Sequence, residues 1–320
     1  MENDSAAAPS GATGTPTPAP AHTWNPDPAR ARHATVAVAG GGPAGMMLAL
    51  GFARRGIDVI VLEKHADFLR DFRGDTVHPS TLDIIDQLGL RERFDAIEHH
   101  SVTTLDGVID GLRITPVDFS RLHGPNKQVA LMPQWDLLDL LADAGRETGN
   151  VTVLMSTTAK ALIKQDGAIR GIKARDADGD FVVTADLTVI ASGRGCPLTD
   201  YAHLESRAFG VPIDVLWFRL PAPSPRPPDT LVYLSPDVTV LTIPRTDYFQ
   251  CGRLIEKDGF AGLKMRGLPA FRDDLVEAAP VLKDVVGDLT DWDQVKLLSV
   301  RVDRLTQWWQ PGLLAIGDAA

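Results

Sequence analysis

The chain has 320 residues, 44% of them hydrophobic and 23% charged, and a formal net charge of −10. That balance excludes a general nucleic-acid binder, which needs a basic footprint, and no apolar run reaches the roughly 18–20 residues of a membrane span. The length exceeds one typical domain, and the two cysteines, Cys196 and Cys251, lack metal-ligand spacing, so no metal is expected.

The first 33 residues are rich in Ala, Pro, Thr and Ser. They lack the basic and apolar regions of a signal peptide. With so little apolar surface to offset ordering entropy, residues 1–33 are expected to be a disordered tail. The scarcity of cysteine fits a reducing cytoplasm.

Order begins with ATVAVAGGGPAGMMLALGFARRGIDVIVLEK, residues 34–64. Thr35–Ala39 reads as a buried strand and Pro43–Arg55 as a helix, with Pro in its first turn and Gly56 after it. Asp58–Leu62 reads as a second strand, so the stretch is a βαβ unit with parallel strands. Between the first strand and the helix lies Gly40-Gly41-Gly42-Pro43-Ala44-Gly45, a G-x-G-x-x-G. Its first glycine allows a tight turn, its second lets a pyrophosphate approach the backbone, and its third lets helix and strand pack closely. The helix N-terminus adds N–H donors and partial positive charge. Glu63 follows 18 residues after Gly45, near the spacing of an acid that binds an adenosine ribose, and Lys64 stands beside it. The pattern calls for an ADP-bearing dinucleotide and leaves NAD and FAD open.

In DFRGDTVHPSTLDIIDQLGL, residues 71–90, Ser80 and Asp83 resemble a capping box, with Leu82, Ile85 and Leu88 on one helical face. Residues 101–132 are strand-like and broken by glycines, and 132–149 is an amphipathic helix with Leu137, Leu138, Leu141 and Ala144 inward. Val151–Leu154, Ala159–Gln165, Ile169–Arg175, Phe181–Thr184 and Leu187–Ala191 read as strands. Asp166-Gly167 and Asp178-Gly179 mark turns among them. Signals from 198 to 300 are mixed, with a Pro-rich loop at 221–229. The final GLLAIGDAA reads as a short buried strand, a Gly-Asp turn and the beginning of a helix.

These segments together resemble the aromatic-hydroxylase, p-hydroxybenzoate hydroxylase-like family of FAD-dependent monooxygenases. The resemblance runs from about residue 34 to 320 and is carried by the G-x-G-x-x-G unit, DFRGDTVHPSTLDIIDQLGL, MPQWDLLDLL and QPGLLAIGDAA. It implies an α/β fold: an FAD-binding, doubly wound (Rossmann-like) parallel sheet with an inserted, mostly β substrate domain. The FAD-binding domain would comprise 34–98, 133–197 and 301–320, and the substrate domain 99–132 and 198–300. It further implies that Asp318 binds the ribityl chain of FAD, that Arg73 reaches the ADP half, that Gln134 lies near the pyrophosphate and Ala159 near adenine. Thr76–His78 would approach the flavin ring. From the residues alone, Asp318 is equally a helix N-cap.

Two departures from the family pattern stand out. In ADLTVIASGRGCPLTD, residues 185–200, Ser192 replaces the family acid before Gly193, Cys196 stands near the usual serine, and no arginine follows closely. The family also continues beyond Gly-Asp-Ala-Ala with a helix facing the flavin, so this chain reads as truncated, with apolar surface expected beside its last strand. The implied activity is hydroxylation of an aromatic or polyketide-like small molecule with NAD(P)H as electron donor and O2. The cofactor would carry the chemistry, so no catalytic side chain is named. A reductase or dehydrogenase on the same fold, and a non-catalytic FAD-binding fragment, are the alternatives. Trp217, Phe218, Tyr233 and Phe249 are candidates for substrate-site walls, and plain core positions otherwise.

Overall fold

In the computed structural model, the described residues are 24–69, 76–225, 232–245 and 247–320. Arg73, residues 1–23 of the tail and part of the Pro-rich loop lie outside them. The βαβ unit is present as β1 (Arg32–Ala39), α1 (Pro43–Ala53) and β2 (Val59–Leu62). Next come β3 (Thr76–Val77), α2 (Pro79–Gln87), α3 (Arg91–Asp95), β4 (His100–Val102), β5 (Thr104–Ile109), β6 (Leu112–Asp118) and β7 (Val129–Leu131). Helix α4 (Gln134–Glu147) then leads to β8 (Val151–Leu154), β9 (Thr158–Gln165), β10 (Ala168–Asp176) and β11 (Gly179–Ile190).

β1, β2, β8 and β11 lie parallel in one sheet, joined at its far side by the last strand of the chain. Successive residues of β1 bury on opposite faces, as a strand inside a layered fold requires. Val36 and Val38 pack with Ala49 and Leu50 of α1 and Leu138 and Leu141 of α4. Ala37 and Ala39 pack on the other side with Leu162 of β9 and Ile172 of β10. Helices therefore cover one face, and the antiparallel strands β9 and β10 cover the other. The β9–β10 turn is Asp166-Gly167, with φ of 52° and 78°, as a two-residue hairpin of this kind requires.

The rest of the chain is α5 (Pro197–Tyr201), β12 (Ser206–Phe209), β13 (Ile213–Pro221), β14 (Val232–Leu234), β15 (Thr239–Pro244) and β16 (Tyr248–Glu256). It continues as α6 (Phe260–Arg266), α7 (Leu268–Ala278), β17 (Lys296–Leu298), β18 (Val302–Leu305), β19 (Trp309–Gln310) and β20 (Leu313–Ala315). Among the described residues a second sheet runs β17-β13-β16-β15-β14-β5-β6, and a three-stranded sheet runs β3-β7-β4. One face of the second sheet buries Phe218, Tyr233 and Phe249 with Phe271 and Leu275 of α7. The other turns Trp217 and Ile243 toward Val129 and Leu131 of β7. Of the four aromatic wall candidates, then, only Trp217 lies away from the α7 core.

Three sequence expectations are corrected. Residues 24–33 of the supposed tail are folded: the Asn25 amide donates to the Asp180 carboxylate at 3.1 Å, and Arg30 lies 4.8 Å from the Phe181 ring centroid. A few charged and cation–π contacts order this segment, which composition does not register. Ser80 and Asp83 form no capping box, because α2 begins earlier, at Pro79 after His78. Proline pre-sets that first turn, and Asp83 instead accepts from Asn126 Nδ2 at 2.7 Å. Phe181–Thr184 and Leu187–Ala191 belong to one strand, since β11 pairs with β10 and then runs on beside β1. Leu313 and Ala315 of β20 are buried, whereas Phe209, Val302, Trp308 and Trp309 are exposed nearby.

Candidate cofactor site

Strand order reverses beside β1: α1 carries the chain from β1 to β2 on one side, while β11 lies on the other. A crevice outside the carboxyl ends of the strands at such a point is the usual ligand site of an open α/β sheet. The glycine-rich loop occupies it. Gly40 has φ of +114°, and a Cβ there would lie 2.5 Å from the Ala191 carbonyl oxygen of the neighbouring strand end. A Cβ on Gly45 would overlap the Gly40 carbonyl oxygen, so this glycine sets how closely α1 approaches β1. Gly42 differs, because a Cβ there would meet nothing within 4 Å. It is the N-cap of α1 and offers no side-chain cap, with Pro43 in the first turn. Ala44 is half-buried beside it. The loop is thus an open cradle beneath helix-terminal N–H groups, a fit for a pyrophosphate.

Glu63 closes the cradle at the end of β2. It is buried, its Oε2 accepts from the Gly41 amide at 2.9 Å, and its Oε1 accepts from the His65 amide at 2.9 Å. A carboxylate has capacity beyond one bond per oxygen. Its main chain is fixed on both sides, by the Leu154 carbonyl and the Thr157 amide. Lys64, next to it, is exposed. Ala159 lies two residues beyond Thr157, in β9 opposite Ala174. Gln134 is the first residue of α4, the helix packed on α1.

The end of the chain arrives at the same place. The Ile316 amide donates to the Ile190 carbonyl at 2.9 Å, which sets β20 beside β11. The short 3-10 turn Gly317–Ala319 follows, and a Cβ on Gly317 would lie 2.8 Å from the Ala44 Cβ. Asp318 therefore stands beside the glycine-rich loop, with its side chain 75% exposed. The sequence reading missed its partner. Arg194 Nε lies 3.8 Å from Asp318 Oδ2, and Arg194 Nη1 donates to the Ser299 carbonyl at 3.3 Å. Its signal was present as a single cation between Gly193 and Gly195, two residues before Cys196. Ser192, in place of the family acid, has its hydroxyl 2.7 Å from Cys196 Sγ. So the ion pair at this crevice is made across the strands, by Arg194 and Asp318.

Residues 33–320 match the profile of a family described as the FAD binding domain. The chain belongs to the FAD-binding monooxygenase family. It is 31% identical over 300 residues to 6-methylpretetramide 4-monooxygenase of Streptomyces rimosus, covering 90% of this chain and 69% of that protein. It is 32% identical over 151 residues to the rifampicin monooxygenase of Streptomyces venezuelae, covering 47% of this chain and 28% of that one. Its fold matches the crystal structure of pqsL, a probable FAD-dependent monooxygenase from Pseudomonas aeruginosa, with a TM-score of 0.74, 20% identity and coverage of 90% and 79%. The choice left open by the glycine pattern therefore falls on FAD. Among the described residues no cluster of three or more His, Cys, Asp or Glu is placed to hold a metal, and no helix is long and apolar enough to cross a membrane.

Proposed function

We propose that the chain hydroxylates an aromatic or polyketide-like small molecule, taking electrons from NAD(P)H and oxygen from O2. One convergence carries the reading: Gly40–Gly45, Glu63 and Asp318 meet at the strand-order reversal of a chain 31% identical, over most of its length, to a 6-methylpretetramide 4-monooxygenase. In this reading Gly42 and the first turn of α1 hold the pyrophosphate of FAD. Glu63 accepts from the adenosine ribose and Asp318 from the ribityl hydroxyls. Gly41, Pro43, Ala44 and Gly45 shape the loop, while Lys64, Gln134 and Ala159 line the ADP side. Bound FAD supplies the redox chemistry and oxygen activation.

The protein's part is to bind, orient and exclude water. The substrate would lie between the cofactor crevice and the face of the second sheet that carries Trp217. There the half-buried Trp217 packs against the buried side chains of Val129, Leu131 and Ile243, which back this face with an apolar layer. A flat ring system gains more against such an apolar face than against a polar one, because the ring's own apolar surface leaves water there. Strands β5, β6 and β13–β17 then make up the substrate side, and the parallel sheet the FAD side. The two free, buried thiols support a reducing cytoplasm as the setting. The test is NAD(P)H oxidation with and without labelled O2 and a panel of polycyclic phenols. Label in the product supports hydroxylation, whereas substrate-dependent turnover without O2 would support the reductase alternative.

A further inference from the structure

We propose that Arg194 is a positioning residue that ties the Gly317–Asp318 turn to the second sheet. The inference rests on the assignment of Asp318 to the FAD crevice. Arg194 projects from the loop after β11, between two glycines of positive φ, 77° and 65°. It reaches an atom on each side, the Asp318 carboxylate and the Ser299 carbonyl. Ser299 is itself part of a dense polar knot. Lys257 Nζ donates to Ser299 Oγ at 2.8 Å, to the Val300 carbonyl at 2.8 Å and to Asp214 Oδ1 at 2.7 Å. Asp214 accepts in addition from the Val300 amide at 2.9 Å and the Asp258 amide at 3.0 Å.

This knot sits at one corner of the second sheet, where Ile213 of β13 pairs with Glu256 of β16. It fixes residues 299–300, which lead into β18, and β18 returns to the turn through the Leu305 amide and the Ala320 carbonyl. The cofactor turn is thus held to the knot by two routes, one through main chain and one through Arg194. An exposed carboxylate on a three-residue turn has many rotamers. A guanidinium anchored at its other end to a fixed carbonyl reduces them, and does so with planar geometry that lysine cannot reproduce. Arg194 thereby presents Asp318 to the ribityl hydroxyls in one orientation and makes that orientation depend on the second sheet.

The experiment uses the full chain and the variants Arg194→Ala, Arg194→Lys, Lys257→Met and Arg194→Ala with Lys257→Met, each checked by circular dichroism. Two readouts are taken: FAD affinity from flavin fluorescence, and amide exchange of residues 296–305 without FAD. Arg194→Ala is expected to weaken FAD about fivefold and to speed exchange across 299–305, with part of both effects restored in Arg194→Lys. Lys257→Met is expected to weaken FAD as well, and the double variant to lose less than the product of the single losses. Wild-type exchange and wild-type FAD affinity in Arg194→Ala would overturn the proposal, as would fully multiplicative losses. A wild-type chain that holds no FAD would instead overturn the assignment of Asp318, while the exchange readout still decides the role of Arg194.

Discussion

Gly42 and Gly45 stand three residues apart in one loop, yet their replacement by alanine should have opposite consequences. At Gly45 the added methyl overlaps the Gly40 carbonyl oxygen and lies 3.2 Å from Val38 Cγ1. A C–H···O contact needs about 3.3 Å, so α1 must retreat from β1 by about 1 Å. Overpacking of this kind costs about 1–3 kcal/mol. For a chain of this size that lowers Tm by roughly 2–6 °C, and it also spoils the cradle. At Gly42 the methyl meets no protein atom within 4 Å, and φ of −75° suits any residue. Gly42→Ala should therefore keep Tm within about 1 °C, a surface-like change. The methyl would occupy the space assigned to the pyrophosphate, so FAD affinity should fall at least about tenfold, or about 1.4 kcal/mol. Differential scanning fluorimetry and flavin fluorescence titration separate the two effects. A Gly42→Ala variant with wild-type FAD affinity would refute the placement of the pyrophosphate.

Three other outcomes follow from the same geometry. Glu63→Gln loses the charge that holds the Gly41 and His65 amides, and a hydrogen bond to a charged group contributes about 1.5–3 kcal/mol, so FAD titration should show a loss of at least about tenfold. Asp214 is held down to about 2 by Lys257 and by the Asp258 and Val300 amides. An acid depressed in the folded state stabilises the fold above its unfolded value of about 3.9 and loses that contribution as pH falls toward 2. Asp214→Asn should accordingly lower Tm at pH 7, and its Tm difference from the wild type should shrink below pH 4 in a pH-dependent melting series. Asp139 is pushed up by burial first and then by Asp143. Asp139→Asn should therefore stabilise the chain at pH 7 by about 0.3 kcal/mol after solvent screening, a gain visible in urea melts and absent at low pH.

Much of the fold was legible because local chemistry and tertiary structure agree. The β1–α1–β2 unit is marked by an apolar run, a glycine cluster, proline at the helix start and a second apolar run, and each signal keeps its meaning in the fold. Asp166-Gly167 likewise has the backbone its sequence requires. The failures occur where distant residues decide. His78-Pro79 outcompeted Ser80 and Asp83 for the start of α2, since Asp83 is claimed by Asn126 from another loop. Phe218 and Phe249 look no different in sequence from Trp217, and strand register alone sends them to the α7 side of the sheet. Arg194 escaped notice because its partners, Asp318 and Ser299, are more than a hundred residues away. Nothing in the sequence around Cys251 marks its depth in the second sheet. It is fully buried, and burial pushes its thiol well above the usual range.

The central claim is that the glycine-rich loop, Glu63 and Asp318 form one FAD site. Gel filtration of the chain with FAD, followed by an absorption spectrum of the protein peak for wild type and Asp318→Ala, tests it most directly. The account predicts flavin absorbance travelling with the folded wild type in near-stoichiometric amount, and a marked loss in Asp318→Ala at unchanged circular dichroism. A folded wild-type chain that emerges colourless, or an Asp318→Ala chain as yellow as the wild type, would contradict it.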